Sequence, residues 1–213
     1  MSRSTSYPGR RPGKAPMVCA ALFAATLLAA CAGQGAALGD VRYDLGPPAP
    51  ASAASMAGPL PPLKVLEVNA PPPLDNDSIL YRLSGNEQRT GQYANSRWTM
   101  SPARMLTLRL RAALGAHATV LSGIDAVQAP MLKIELDQFE QVFDSQTASS
   151  GVVSGRATLM QGAKVIAQHV FVAHAPAGSP DAAGGVRALA AASDDFVNQV
   201  SAWLATQQLA AAP

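Results

Sequence analysis

Residues 78–114, SILYRLSGNEQRTGQYANSRWTMSPARMLTLRLRAAL, combine two strand signals and one helix signal in a single stretch. The first six residues alternate as in a short strand, a polar region with glycine follows, and a second extended run ends at Trp98. Ser101 is suited to cap a helix, Pro102 suits its first turn, and Gly115 stands just past the last periodic residue. The stretch therefore predicts two short strands that lead into an amphipathic helix.

One side of this helix is apolar, and its residues recur at helical spacing: Leu106, Leu110, Ala113 and Leu114. We expect this side to lie on a sheet formed by the rest of the chain. Three basic residues fall largely off the apolar side: Arg104, Arg109 and Arg111. They predict a solvated helix face, and a surface for an anionic lipid or a partner is the alternative.

The remaining strand signals flank this stretch. Residues 63–68 alternate in the manner of a strand, and residues 131–143 form a longer strand whose phase changes near Asp137 and Gln138. A change of phase predicts a β-bulge at that point. Residues 152–160 and 164–173 predict a hairpin.

A final helix completes the pattern after a loop at residues 175–185, because apolar residues recur at helical spacing up to Leu204. The order β-β-β-α-β-β-β-α predicts the α+β class. We expect one domain over residues 63–207, with a mainly antiparallel sheet, two amphipathic helices on one face and a tail at residues 208–213.

The N-terminal residues 1–30 have the basic start and the apolar segment of a signal peptide, too short to span a membrane comfortably. The segment ends in Leu-Ala-Ala followed by Cys31, which resembles a bacterial lipobox, with a plain secretory signal as the alternative. Cys31 is thus the predicted lipidation site. Residues 31–62 predict a lipidated tether rich in Ala and Pro, in which residues 43–45 are either a short edge strand or unattached linker.

Removal of the signal peptide changes the charge argument. The chain has 16 Lys and Arg against 14 Asp and Glu, but four basic residues lie in the signal, so 12 remain against 14 and the net charge is −2. This balance gives no reason to expect a nucleic acid partner. Cys19 leaves with the signal and Cys31 becomes a thioether, so the mature chain has no cysteine pair for a disulfide.

Sequence motifs for catalysis are absent. The chain has no Gly-rich phosphate loop, no G-x-S-x-G and no Cys/His cluster, and its histidines are scattered. Asp75 and Asp77 lie among prolines and turn residues, with no further oxygen ligands at a spacing suited to calcium. We therefore predict a protein that is not an enzyme, binds no metal and carries no cofactor apart from the covalent lipid.

An ordered set of short motifs resembles the ABC-type transport auxiliary lipoproteins, the PqiC-like group. The set covers nearly all of the mature chain: Tyr43, Leu45, Val65, Glu67, Val68, Leu74, Asp75, Ile79, Leu80, Tyr81, Arg82, Tyr93, Arg97, Trp98, Ser101, Pro102, Leu132, Ile134, Glu135, Leu136, Phe139, Glu140, Phe196, Trp203 and Leu204. The chain departs from the pattern at Thr99 and Met100 and in its long tether.

The resemblance implies a lipoprotein of the outer membrane that faces the periplasm, and Ala32 directly after the cysteine favours that membrane. Such a protein would work with an MCE-domain protein and an inner-membrane transport component to move lipids between membranes, and it could form homo-oligomeric rings. Tyr81, Arg82 and Trp98 are the candidate partner interface. Alternatively they are framework residues, with Trp98 sealing the helix against the sheet and Arg82 paired with an acidic neighbour such as Glu135.

Two other functions remain open at this stage. A lipid carrier would enclose an acyl chain in an apolar cavity between the sheet and the helices. A structural or assembly lipoprotein would serve another machine of the envelope.

Overall fold

The computed structural model describes residues 39–48, 60–83, 89–207 and 209. The predicted signal peptide, the lipidation site Cys31 and most of the predicted tether lie outside the described residues. The described chain forms an open, mixed sheet of eight strands covered on one face by two helices, which confirms the α+β prediction.

The strands, in chain order, are β1 Val41–Tyr43, β2 Leu63–Val65, β3 Ser78–Leu83, β4 Arg89–Trp98, β5 Val120–Leu121, β6 Met131–Phe143, β7 Ser149–Gln161 and β8 Lys164–Pro176. The two helices are α1 Pro102–Gly115 and α2 Ala182–Ala205, and a short 3₁₀ turn covers Pro72–Leu74. Of the two alternatives for residues 43–45, the edge strand is therefore nearer to the structure.

The long ladders are antiparallel and join β3 to β4, β6 to β7 and β7 to β8. Four short ladders are parallel, and two of them meet β6 on the side away from β7: β2 at its beginning and β3 at its end. The other two join β1 to β4 and β2 to β5. The sequence did not predict these parallel pairs, because a strand pattern identifies a strand but not its neighbour.

The predicted bulge and hairpin are confirmed. The register of β6 on β7 shifts between Leu136 and Gln138, after which Phe139 lies in the core. β7 and β8 are joined through Gly162, whose φ of 58° lies in the left-handed region that glycine adopts without strain.

Helix α1 begins and packs as predicted. The Ser101 hydroxyl accepts a hydrogen bond from the backbone N–H of Arg104 at 3.4 Å, which caps the helix. Leu106, Leu110 and Leu114 are fully buried against the sheet and α2.

Helix α2 begins earlier than predicted, within the region expected to be loop. The Asp181 carboxylate caps it by accepting a hydrogen bond from the N–H of Gly184 at 2.7 Å. The helix then crosses β7 at Gly151, where an added Cβ would stand 2.5 Å from the backbone of Ala188 and Leu189. Glycine at this position lets the helix approach the sheet closely.

The prediction of a solvated arginine face on α1 is wrong for Arg109, which is buried. Its guanidinium pairs with Asp194 of α2 and donates to the carbonyls of Leu45 at 2.7 Å and Gly46 at 2.8 Å. Asp194 thus joins α2 to α1 through this contact.

The other two arginines of α1 also have partners. Arg111 donates to the carbonyl of Val65 on β2, with Nη2 at 2.9 Å, whereas Arg104 pairs with Glu67 and stays exposed. Arg111 thus contacts the last residue of β2, and Arg104 contacts a residue just after that strand. Both arginines therefore reinforce the packing of α1 on this part of the sheet.

Candidate functional site

The three residues of the candidate interface are placed apart in the fold. Tyr81 and Arg82 are consecutive on β3, so their side chains leave opposite faces of the sheet. Trp98 ends β4 and has no exposed surface; its ring packs edge-on against Phe139 with centroids 5.8 Å apart. Trp98 therefore has the framework position, and Arg82 is the member that reaches the open face of the sheet.

Arg82 lines a groove of about 660 Å³ on the face of the sheet away from the helices. We call it the outer groove, and its lining residues are Pro71, Pro73, Leu74, Leu80, Arg82, Thr90, Gly91, Gln92, Asp137, Gln138, Phe139, Glu140 and Ser154. β3 and β4 form one wall, the bulged part of β6 forms the floor, and the connection from β2 to β3 forms the other wall.

The groove follows from an interruption of the sheet. Asn69 bridges to Glu135 of β6, and β3 pairs with β6 from Gln141 onward. Among the described residues no strand pairs with β6 on that side between these points. Pro71 and Pro73 lie beside the interruption, where proline cannot donate to a ladder.

The polar floor of the groove centres on Glu140. Its Oε1 accepts from Arg82 Nε at 2.6 Å and from Gln138 Nε2 at 2.7 Å. The Glu140 side chain is 5% exposed, whereas that of Arg82 is 39% exposed. The carboxylate thus fixes one edge of the guanidinium and leaves part of it facing the groove.

Arg82 pairs with an acidic neighbour, as the framework alternative expected, but that neighbour is Glu140 and not the suggested Glu135. Glu135 instead accepts from Lys133 at 3.0 Å, and Arg156 lies 3.9 Å from it. The parallel register sets Arg82 beside Val142, which brings Glu140 within reach and leaves Glu135 too far back along β6.

The chemistry of the outer groove suits recognition of a polypeptide surface. One guanidinium and the carboxylates of Asp137 and Glu140 lie among proline, leucine and phenylalanine side chains. Arginine beside apolar surface is typical of binding hot spots. Within the described part of the chain no group of three His, Cys, Asp or Glu side chains is placed to hold a metal ion.

Tyr81 lines a second, smaller depression of about 320 Å³ on the helix-bearing face. Its ring lies 5.1 Å from that of Tyr93 and 6.1 Å from that of Phe143, measured between centroids. The Tyr93 hydroxyl donates to Gln141 Oε1 at 2.7 Å. Burial, and then the negative charge of Asp181, raise the pKa of Tyr93 to about 12, so this hydroxyl stays protonated near neutral pH.

Sequence reasoning named Arg82 and Tyr81 but did not assign Gln138, Glu140 or Gln141 to a site. Gln141 is fully buried and its Nε2 donates to Ser149 Oγ at 2.8 Å. The available signal was the phase change in β6, which turns Gln138 and Glu140 to the outer face. Cys31, the predicted lipidation site, lies outside the described residues.

A model of the ABC-type transport auxiliary lipoprotein component family matches residues 43–201. The chain belongs to this family. The match begins in β1 and ends in α2, so it includes both walls of the outer groove. Membership makes the chain an auxiliary lipoprotein of a transport system, and no helix among the described residues is long and apolar enough to cross a membrane.

Two crystal structures share the fold. One is a protein of Xanthomonas campestris from the DUF330 family, 22% identical, with a TM-score of 0.55 over 78% of this chain and 90% of that one. The other is an uncharacterised protein, 20% identical, with a TM-score of 0.57 over 78% of this chain and 97% of that one. No curated protein matches the chain in sequence.

Proposed function

We propose that this auxiliary lipoprotein is anchored in the outer membrane and docks an MCE-domain protein there, as the non-enzymatic component of an intermembrane lipid transport system. The observation that carries the proposal is the family match over residues 43–201, which runs from the end of β1 to the last part of α2. In this function the chain supplies binding and positioning and makes or breaks no covalent bond.

The outer groove is the proposed docking surface for the MCE-domain protein. It combines an accessible guanidinium with apolar walls, and Glu140 holds that guanidinium in place before a partner arrives. Preorganisation of this kind reduces the entropy lost on binding.

The proposed anchor is a lipid on Cys31. β1 begins at Val41, ten residues after Cys31, so the chain between them can extend at most about 35 Å. An anchor of this length would keep the domain close to the membrane surface, whereas the tether expected from the sequence continued to residue 62.

A lipid carrier is the alternative that the geometry favours less. Such a carrier needs an apolar cavity between the sheet and the helices, and in the described structure that layer contains the fully buried side chains of Trp98, Phe139 and Phe196. The outer groove is open and carries three charged side chains, so it does not resemble a site for an acyl chain.

Native mass measurement tests the proposal. The full chain would be expressed in a Gram-negative host, purified in detergent and mixed with the MCE-domain protein of the same organism. We expect a complex of defined mass. A chain that ignores the MCE-domain protein and retains bound phospholipid would overturn docking in favour of the carrier, and recovery of another envelope machine would favour an assembly factor.

A further inference from the structure

The charges of the outer groove do not balance. The groove carries three charged side chains, those of Arg82, Asp137 and Glu140. Glu140 is nearly buried and accepts from Arg82 Nε at 2.6 Å, so these two charges neutralise each other. Among the described residues the exposed carboxylate of Asp137 has no ion pair and no hydrogen bond. One uncompensated negative charge therefore remains in the groove.

The basic side chains beside the groove are paired elsewhere. Glu135, on the same face of β6, accepts from Lys133 at 3.0 Å, and Arg156 of β7 lies 3.9 Å from it. Both cations of this part of the outer face are thus shared by Glu135. Asp137 stands at the bulge with no cation of this chain in contact.

The floor of the groove continues onto two exposed valines. Gln138 of β6 pairs with Ser154 of β7, and Ser154 pairs with Val172 of β8, so these residues form one row across the sheet. Because Gln138 and Ser154 line the groove, Val172 projects from the same face. Val172 and its neighbour on that face, Val170, are 47% and 51% exposed. An unpaired carboxylate and an apolar strip therefore lie on one face.

The row sets the spacing between the carboxylate and the apolar strip. Asp137 and Gln138 together oppose Ser154 in the bulge, and Val172 lies two strands from them. Neighbouring strands are about 4.8 Å apart, which gives a separation of about 10 Å. An extended chain advances about 3.3 Å per residue. A segment that crosses the strands here therefore brings residues about three positions apart to Asp137 and to Val172.

We propose that the outer groove binds an extended segment of the MCE-domain protein, in which a lysine or arginine pairs with Asp137 and an apolar residue about three positions away packs on Val172. The inference rests on the proposed docking function and names the chemistry of the segment that the groove recognises. Arg82 contacts the segment through the part of its guanidinium that Glu140 leaves open. At about 660 Å³ the groove has the size of a ligand pocket, so it accommodates a few side chains and not a folded domain.

The charge pattern favours a polypeptide over a phospholipid headgroup. An amine headgroup also offers a cation, but its phosphate follows within a few atoms and would lie near the carboxylates of Asp137 and Glu140. Like charges brought together in an interface are strongly unfavourable. A basic side chain on an extended segment brings no anion with it, and the same segment supplies the apolar residue for Val172.

The first test changes the charge at Asp137 and measures the affinity of the full chain for the MCE-domain protein of the same organism. We expect binding about fivefold weaker for Asp137→Asn, which removes the ion pair, and at least about tenfold weaker for Asp137→Lys, which opposes two cations. The affinity of the parent chain should also fall more steeply with salt than that of Asp137→Asn. Asp144→Lys is the matched control, because it makes the same change at an exposed position after β6 and outside the groove, and it should bind as the parent does.

The second test changes the apolar strip. Val172→Asn should weaken binding about fivefold, because the half-exposed valine no longer gains from apolar burial by the segment. Val165→Asn is the matched control: Val165 is 52% exposed near the other end of β8, and its replacement should leave the affinity unchanged. Circular dichroism of each variant confirms that it is folded.

The outcomes separate this inference from the function on which it rests. A parent chain that does not bind the MCE-domain protein contradicts the proposed function itself. A parent chain that binds it, with Asp137→Lys equal to Asp144→Lys in affinity, overturns the inference and leaves docking intact. Tighter binding by Asp137→Asn would also overturn it, because the segment would then bring a carboxylate to Arg82. Phosphatidylethanolamine that is retained by the parent chain in native mass spectra and lost by Asp137→Lys would assign the groove to lipid instead.

Discussion

The side chain of Arg109 is buried between the two helices and residues 45–46, whereas that of Arg82 lies half exposed in the outer groove on the other face of the sheet. Both arginines pair with a carboxylate. At Arg109 the carbonyls of Leu45 and Gly46 also accept, so its guanidinium is enclosed by protein. At Arg82 one edge of the guanidinium is held by Glu140 and part of the rest faces the groove.

This difference separates a residue that holds the fold together from one that can recognise a partner. Arg109 joins α1 to α2 and to the segment after β1, so its loss affects three elements at once. Arg82 lies where Pro71 and Pro73 border the interruption beside β6, and its accessible surface is available to another molecule. Replacements at Arg109, Arg82, Asp181 and Arg104 test the comparison.

Replacement of Arg109 by methionine should have the largest effect on stability. We expect Arg109→Met to lower the free energy of unfolding by about 3 kcal/mol or more, because the Asp194 carboxylate loses its buried ion pair and the carbonyls of Leu45 and Gly46 lose the guanidinium hydrogen bonds. Urea denaturation of the full chain measures the change. A decrease below about 1 kcal/mol would show that the buried pair is not what joins the helices.

Replacement of Arg82 should lower the free energy of unfolding by less, about 1–2 kcal/mol. The nearly buried Glu140 carboxylate then loses one hydrogen-bond donor but keeps the donor from Gln138. In a double-mutant cycle, Glu140→Gln should remove most of that cost, since an amide tolerates the loss of the guanidinium better than a carboxylate does. Urea denaturation of the four chains gives the coupling energy. Additive effects would contradict the pairing.

The carboxylate of Asp181, which caps α2, can be tested through pH. The N–H of Gly184, and then the Ser179 hydroxyl, lower the pKa of this carboxyl from 3.8. Because the folded pKa is below the unfolded value, the stability it contributes is present above pH 3.8 and is lost as the pH falls through the folded pKa.

Asp181→Ala should therefore lower the melting temperature at neutral pH, and by less than replacement of Arg82 lowers it. In strong acid the melting temperatures of Asp181→Ala and of the parent chain should converge. Asp181→Asn is the control, because it can still accept the capping hydrogen bond but does not titrate. A difference that persists in strong acid would assign the effect to something other than the carboxylate.

Arg104 should show the smallest effect. It lies on α1 like Arg109, but its pair with Glu67 is exposed on both sides. Arg104→Ala should change the free energy of unfolding by no more than about 0.5 kcal/mol. A loss comparable with that of Arg109→Met would show that position on the helix, and not burial, decides the role of these arginines.

Local patterns in the sequence predicted the six strands other than β1 and β5, both helices, the cap at Ser101 and the bulge near Asp137, because each depends on residues close together in the chain. The partners of Arg109 could not be predicted in this way. Asp194 lies 85 residues along the chain and Leu45 lies 64 residues back. Their meeting depends on how α1, α2 and β1 pack together.

The outer groove was predictable in part. The alternation of β3 already placed Arg82 and Tyr81 on opposite faces, and the phase change marked the part of β6 that forms the floor. The parallel pairing of β3 with β6 leaves no local signal, so the sequence predicted an acidic neighbour for Arg82 but suggested Glu135 where the structure has Glu140. The burial of Trp98 likewise depends on Phe139, which reaches the core only after the bulge.

The most direct measurement of the central claim is the affinity of the chain for the MCE-domain protein when the outer groove is filled. Thr90→Trp places a large side chain in the groove without removing the pair of Arg82 and Glu140, and Thr99→Trp places the same side chain at an exposed position outside it. The account predicts binding at least about tenfold weaker for Thr90→Trp and unchanged for Thr99→Trp. Equal affinity for both variants would contradict docking through the groove.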